Sequence, residues 1–346
     1  MKIFIALVAF VLNWSEIAKS EDWSCDKIDQ RMTLDIAPFK HPFLSLSFSD
    51  DCRFLLGSSV PHFTYVAMYG YDFLTKEKFS LVLPQPYQDA GVRGSIVSKN
   101  GKYAASVQSR YAEIGYGADR GESIAVWNLS TKQLVFISGV AGTIAHGLAF
   151  SSDESILYAA VGNDVLAFDV ETGRVIKTFM FGARVTTIAV SKDGKNLALG
   201  TAAGEVIACS LPRGNLCSGI KRQEPIEIVS IDNDRSEVVF RARNSPLGAA
   251  DTITRTLKRE YAIASKTVDF SLKLSGGRIL RSYLLSEYSS QIQVIDSETA
   301  SVLSDYSCDT HACTIYGSTL SSDGKVFAVS IESGAVEIEL IADASK

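Results

Sequence analysis

The sequence predicts an all-β fold, a seven-bladed β-propeller of four-stranded antiparallel blades whose ring is closed by an N-terminal strand. Three observations predict it. A polar tight turn, Ser-x-Asp-Gly or close to it, recurs seven times along the chain. Short apolar runs rich in β-forming residues flank the copies. A second turn follows the first after about 16 to 30 residues, as expected if each repeat folds as one four-stranded unit.

The seven turns are Ser49-Asp50-Asp51-Cys52, Ser98-Lys99-Asn100-Gly101, Ser151-Ser152-Asp153-Glu154, Ser191-Lys192-Asp193-Gly194, Asp232-Asn233-Asp234-Arg235, Leu274-Ser275-Gly276-Gly277 and Ser321-Ser322-Asp323-Gly324. Their third residues are spaced by 49, 53, 40, 41, 42 and 47, a repeat with variable loops. Asp-Gly and Asn-Gly favour tight hairpins because both residues tolerate positive φ. The flanks, such as Thr187-Ile188-Ala189-Val190 before a turn and Val326-Phe327-Ala328-Val329-Ser330 after one, read as strands buried on both faces. The second turn is clearest at Phe168-Asp169-Val170-Glu171-Thr172-Gly173, with relatives at Phe73-Leu74-Thr75-Lys76-Glu77, Trp127-Asn128-Leu129-Ser130-Thr131-Lys132 and Asp296-Ser297-Glu298-Thr299-Ala300. Four strands at a period of about 40 to 45 residues is the signature of propeller blades.

On these residues the chain resembles the WD40/YVTN-type propeller superfamily, as a divergent, exported member. Trp127-Asn128 and Phe168-Asp169 stand where that family places Trp-Asp. The resemblance covers Arg31 to about Ile341, strongest in the third, fourth and seventh repeats and weakest in the fifth. The family's Gly-His before the first strand is missing from most repeats. The resemblance implies a rigid disc whose connection between second and third strands lies on the face that usually binds partners.

The seventh repeat is one strand short. Arg31-Met32-Thr33-Leu34-Asp35-Ile36 is strand-like, lies before the first full repeat and supplies the missing outer strand beside Ala335 to Leu340. That pairing removes two exposed sheet edges. The blades then run 41–90, 91–141, 142–183, 184–225, 226–267, 268–311 and 312–341, the propeller spanning 41–341 with a tail at 342–346. In the fifth, Ser245-Pro246-Leu247-Gly248 reads as a loop, and the outer hairpin falls near Lys258-Arg259.

The first twenty residues read as an export signal. Lys2 precedes an unbroken apolar run of 10 residues, Ile3 to Leu12, then a polar stretch with small residues at Ala18 and Ser20. This is the layout of a secretory signal peptide, and the run falls short of the roughly 20 apolar residues that span a bilayer. Cleavage after Ser20 leaves 21–40 as a lead bearing the closing strand, and removes Lys2, Lys19 and Glu16, taking the net charge from -5 to -6. No later stretch is apolar enough to span a membrane. The expected product is a monomeric propeller in the periplasm or extracellular space.

All six cysteines follow the signal: Cys25, Cys52, Cys209, Cys217, Cys308 and Cys313. An even number in an exported chain points to disulfides. Sequence alone leaves many connectivities open, and the propeller topology narrows them. Cys209 and Cys217 flank the outer hairpin of blade four, Cys308 and Cys313 bracket the connection from blade six to seven, and Cys25 and Cys52 belong to one face of the disc. The expected pairs are Cys25–Cys52, Cys209–Cys217 and Cys308–Cys313. Cys308-Asp309-Thr310-His311-Ala312-Cys313 has zinc-type ligands but lacks an evident fourth one.

No catalytic motif stands out. The four histidines, His41, His62, His146 and His311, lack metal-ligand spacing, and no nucleophile elbow or phosphate loop occurs. His146, on an inner strand of blade three, lies near the channel mouth. Gly115-Tyr116-Gly117 lacks the βαβ context of a dinucleotide site. No cofactor or metal is expected. The mild negative charge and the absence of a Lys/Arg run argue against nucleic acid as partner.

The best functional lead is loops. Blade two carries an insertion, Gln108 to Ser123, with Arg110, Tyr111, Tyr116, Asp119 and Arg120. Blade one has a comparable segment around His62 and Tyr65. Tyr and Arg are enriched at interaction hot spots, although surface loops also tolerate insertions without a role. Asn128-Leu129-Ser130 is a glycosylation sequon in an outer turn. Two function classes follow: a non-catalytic protein-interaction platform, and a propeller enzyme or enzyme subunit, lactonase-like or quinoprotein-dehydrogenase-like, using the central channel. The first is favoured because no catalytic constellation is visible, and fold alone does not decide function.

Overall fold

The structure is a computed structural model, and it describes residues 23–28, 31–38, 41–58, 66–84, 90–110, 122–140, 145–211, 217–232, 237–243, 245–251, 256–261, 268–275, 277–286, 289–308 and 314–341. Those residues form seven four-stranded antiparallel sheets. After a 3-10 turn at Cys25–Lys27 comes β1 (Met32–Leu34). Blade one is β2 (Ser45–Phe48), β3 (Phe54–Ser58), β4 (Val66–Asp72) and β5 (Glu77–Val82). Blade two is β6 (Ala90–Val97), β7 (Tyr103–Arg110), β8 (Glu122–Asn128) and β9 (Gln133–Val140). Blade three is β10 (Ala145–Phe150), β11 (Ile156–Val161), β12 (Asp164–Asp169) and β13 (Val175–Met180). Blade four is β14 (Val185–Val190), β15 (Asn196–Thr201), β16 (Glu205–Ser210) and β17 (Cys217–Lys221). Blade five is β18 (Ile226–Asp232), β19 (Glu237–Ala242), β20 (Leu247–Asp251) and β21 (Leu257–Tyr261). Blade six is β22 (Val268–Ser275), β23 (Arg278–Ser286), β24 (Ser289–Asp296) and β25 (Val302–Cys308). Blade seven is β26 (Ile315–Leu320), β27 (Val326–Ile331) and β28 (Val336–Leu340), with β1 as its outer strand.

Ring closure follows the expected pairing. Met32 faces Ile338, Thr33 faces Glu337 and Leu34 faces Val336. Arg31 extends the contact by pairing with Glu337 and Glu339, each at 3.0 Å, and the Tyr306 hydroxyl from β25 donates to Glu337 at 2.9 Å. Burial pushes the Glu339 carboxyl above its ordinary range, opposed by Arg31. The Arg31 side chain is 63% exposed, so its ion pairs contribute little. Closure rests on the strand pairing, on Leu34 and Ile36 in the apolar seam with Phe43 and Leu46 of blade one, and on the Cys25–Cys52 disulfide.

The repeating turn owes its sequence to one local network. In Ser-x-Asp-x, the serine hydroxyl donates to the Asp carboxylate and accepts the N–H five residues on. At Ser321 these bonds are 2.6 Å to Asp323 and 2.9 Å from Val326 N–H, and Ser151 and Ser191 repeat them. The carboxylate then accepts the N–H two residues after itself, as Asp193 does from Lys195 at 3.0 Å. The fourth position has positive φ, 73° at Gly324 and 72° at Gly194, which is why glycine is common there. Second turns use a different acceptor. Asp169 takes Thr172 N–H at 2.8 Å and the Thr172 hydroxyl at 2.6 Å. The hydroxyl and amide donors hold Asp153, Asp169 and Asp193 below the ordinary carboxylate range.

The core sits between blades. Phe54, Leu56 and Met68 of blade one pack on Ala104 and Trp127 of blade two, and Val107 and Ile124 of blade two pack on Leu157 and Phe168 of blade three. Trp127 is fully buried, and its indole N–H donates to the Val82 carbonyl of the preceding blade at 3.2 Å. Among the described residues second strands are buried along most of their length, and fully in β19 and β27. Outer strands are not: β13 alternates with most of its residues exposed.

Blade five departs from the sequence reading in two places. Leu247 and Gly248 belong to β20, with Leu247 buried, so the loop ends at Pro246. Lys258 and Arg259 lie within the outer strand β21, Arg259 opposite Ala249 and Lys258 at the register shift before Leu257 opposite Ala250, and the hairpin precedes them. The charged run Lys258-Arg259-Glu260 looks unlike a strand because an outer strand has no second apolar neighbour. Lys258 instead bridges Glu237 and Asp251 at 3.2 and 2.9 Å.

Candidate functional site

An antiparallel meander puts the first turn of each blade, between first and second strands, and the second turn, between third and fourth strands, on one face of the disc. The connections from second to third strand, and from blade to blade, open on the other. The two faces differ in regularity.

On the turn face, neighbouring first turns are bonded to one another around part of the ring. Asp50 N–H donates to the Lys99 carbonyl at 2.9 Å, Asn100 N–H to the Glu154 carboxylate at 2.6 Å, and the Ser275 hydroxyl to the Ser322 carbonyl at 2.8 Å. The Ser322 hydroxyl reaches the Asp50 carbonyl across the seam. The 3-10 turn lies against this face, with Lys325 paired to Asp26 at 2.8 Å and Trp23 stacked on Phe73.

The opposite face is irregular. The chain between second and third strands is short in blades three, four and seven, at 162–163, 202–204 and 332–335. In blade one it is 59–65 and in blade two 111–121. The two strands that carry 111–121, β7 and β8, pair as far as Ser109 opposite Glu122, and Arg110 at the end of β7 stands opposite Ala90 of β6. Gln108, Ser109, Arg110, Glu122 and Ser123 are therefore strand residues, and the insertion proper is 111–121. Arg110 stands where β7 ends. Tyr111, Tyr116, Asp119 and Arg120 lie outside the described residues, as do His62 and Tyr65 in 59–65. The shortening of the insertion has a physical signal: Glu122 and Ser123 are buried, and the Glu122 carboxylate accepts the Ala145 N–H from the next blade.

The central channel has two halves. The half toward the loop face is a cavity of about 360 Å³ lined by inner-strand residues including Ser45, Ser95, His146, Thr187 and Val229. His146 thus reaches the channel as its position on an inner strand suggests. The half toward the turn face, about 280 Å³, is lined at its mouth by Asp50, Lys99, Ser152, Lys192 and Ser322. These are the second residues of the Ser-x-Asp-x turns. The sequence reading missed them, although the unassigned position of each turn was the signal. Burial pushes the Asp50 carboxyl up, opposed by Lys192 and Lys99. Among the described residues no three His, Cys, Asp or Glu side chains converge on a metal-sized point.

Two of the three expected disulfides fall on described residues and are present. Cys25 joins Cys52, and Cys209 joins Cys217, which stand directly opposite each other in β16 and β17. The Cys308 backbone ends β25, while Cys313, and with it the third pair, lies outside the described residues. Among the described residues no helix is long and apolar enough to cross a membrane.

No protein-family model matches the chain, and no curated protein does. In fold it is similar to a chain in the crystal structure of a mitotic checkpoint complex, with a TM-score of 0.69 at 13% identity over 91% of this chain and 96% of that one. Identity that low speaks for the fold alone. Together with the seven four-stranded sheets, it supports a seven-bladed β-propeller fold.

Proposed function

We propose that the chain is an exported, non-catalytic propeller that binds a protein partner through its loop face, centred on residues 111–121 of blade two and 59–65 of blade one. The observation that carries this reading is the asymmetry of the disc. One face carries the Ser-x-Asp-like turns, bonded to one another around part of the ring. On the other, two adjacent blades carry long connections, 59–65 and 111–121, and in blade two the flanking strands pair as far as Ser109 opposite Glu122. A rigid scaffold presenting variable loops is the usual architecture of a binding surface. The Tyr and Arg residues of these segments, Tyr111, Tyr116, Arg120 and Tyr65, with Arg110 at the end of β7 and with His62 and Asp119, are of the types that dominate interface energetics. Export is supported by the signal-like N-terminus and by two disulfides, which belong to oxidising compartments.

The test replaces 112–120 with a short glycine linker, leaving the β7–β8 pairing intact. Affinity capture with the secreted protein is then compared between the two forms. The reading expects a specific protein recovered by the unaltered chain and lost with the replacement. Equal recovery by both forms contradicts the assignment to this loop.

A further inference from the structure

We propose that Asn128 accepts an N-linked oligosaccharide, placing a glycan on the turn face of blade two. The proposal rests on the exported reading above. Four blades end their third strand with an oxygen acceptor followed three residues later by threonine: Asp72 and Thr75, Asn128 and Thr131, Asp169 and Thr172, Asp296 and Thr299. In each turn the side-chain Oδ1 takes the turn N–H groups, including Thr299 N–H at 2.7 Å for Asp296. Three blades use a carboxylate. Blade two uses a carboxamide, whose oxygen does the same work: Asn128 Oδ1 accepts Ser130 N–H at 3.0 Å, the Ser130 hydroxyl at 2.6 Å and Thr131 N–H at 3.1 Å. These turn bonds all end on the oxygen, so the turn makes no use of Nδ2.

The same turn differs at a second position. Two residues after the acceptor the other blades have Leu74, Glu171 and Glu298, whereas blade two has Ser130. Asn128-Leu129-Ser130 is thereby a complete glycosylation sequon. Outside the N-terminal leader, where Asn13-Trp14-Ser15 stands, it is the one Asn-x-Ser/Thr triplet in the sequence. Asn128 is half-buried, and Ser130 to Gln133 around it are exposed, so a glycan extends from the disc without displacing the core. Blade two thus keeps its turn chemistry and gains an acceptor nitrogen.

In the transfer, Nδ2 bonds to the anomeric carbon of a lipid-pyrophosphate-linked oligosaccharide. The carbon–oxygen bond to the pyrophosphate breaks, the lipid pyrophosphate leaves with the electron pair, and one Nδ2 proton goes to base. The product blocks part of the turn face and leaves the loop face open.

The full chain is translated in the presence of endoplasmic-reticulum microsomes and followed by protease protection, gel mobility and peptide mapping. The expected result is a protected chain shifted by one glycan, the shift removed by peptide N-glycosidase with aspartate then found at 128. N128D, which keeps the turn acceptor of the other three blades, remains protected and loses the shift, as does S130A. A protected chain with unmodified Asn128 overturns the glycan proposal alone. A chain that stays outside the vesicles overturns the exported reading, and the proposal with it.

Discussion

Ser321 shows what the repeat is for. Its hydroxyl is buried and serves Asp323 and Val326 N–H together. Ser321→Ala strands that N–H side-chain contact in a dry turn, and should lower stability by about 1–3 kcal/mol in urea unfolding. Ser152→Ala, at the second position of its own turn and facing the channel mouth, should stay within about 0.5 kcal/mol. At this scale the sequence was readable wherever one geometry demands one residue type, as at Ser49, Ser98, Ser151, Ser191 and Ser321. It was silent at Asp50, Lys99 and Lys192, because the backbone of the turn accepts any side chain at its second position. The channel mouth therefore leaves no motif.

Turn carboxylates and the seam govern behaviour at the scale of elements. The Ser151 and Ser191 hydroxyls, then the Ser155 and Lys195 amides, hold Asp153 and Asp193 below the ordinary range. A folded pKa below the unfolded value of about 4 gives stability that is present above that value and lost as pH falls through the folded one. The urea midpoint should accordingly drop on acidification below about pH 4, and the acid limb should flatten in D153N/D193N, which keep an oxygen acceptor without the titrating charge. Asp50 and Glu339, raised by burial, act with the opposite sign. At the seam, Cys25–Cys52 closes a loop with a separation of 27 residues, against 8 for Cys209–Cys217. On the chain-entropy account its removal in a Cys25→Ala/Cys52→Ala variant should cost about 3–4 kcal/mol, more than the roughly 2–3 kcal/mol for the blade-four pair. Equal losses would mean that the lead from Cys25 to β1 does not hold the ring shut. The closing strand was legible because blade seven lacks an outer strand and the segment 31–36 has no other blade to join. Blade five was misread at Lys258 and Arg259 because charge on an outer strand carries no burial pattern.

The whole molecule divides its labour between faces. One is built from repeated turns and was largely legible in the sequence. The other carries the differences between blades, and there the sequence marks where a surface lies without naming what it binds. Strand ends decide the extent of such a surface: buried Glu122 and Ser123 belong to β8 and not to the insertion. The claim that joins fold to function is that partners meet the loop face. Hydrogen–deuterium exchange of the secreted protein, free and bound to the partner it captures, tests this most directly. The account predicts slowed exchange in peptides covering 59–65 and 111–121, with the Ser-x-Asp turns at 49–52, 151–154 and 191–194 unchanged. Protection confined to those turns, or to outer strands such as β13, would contradict it.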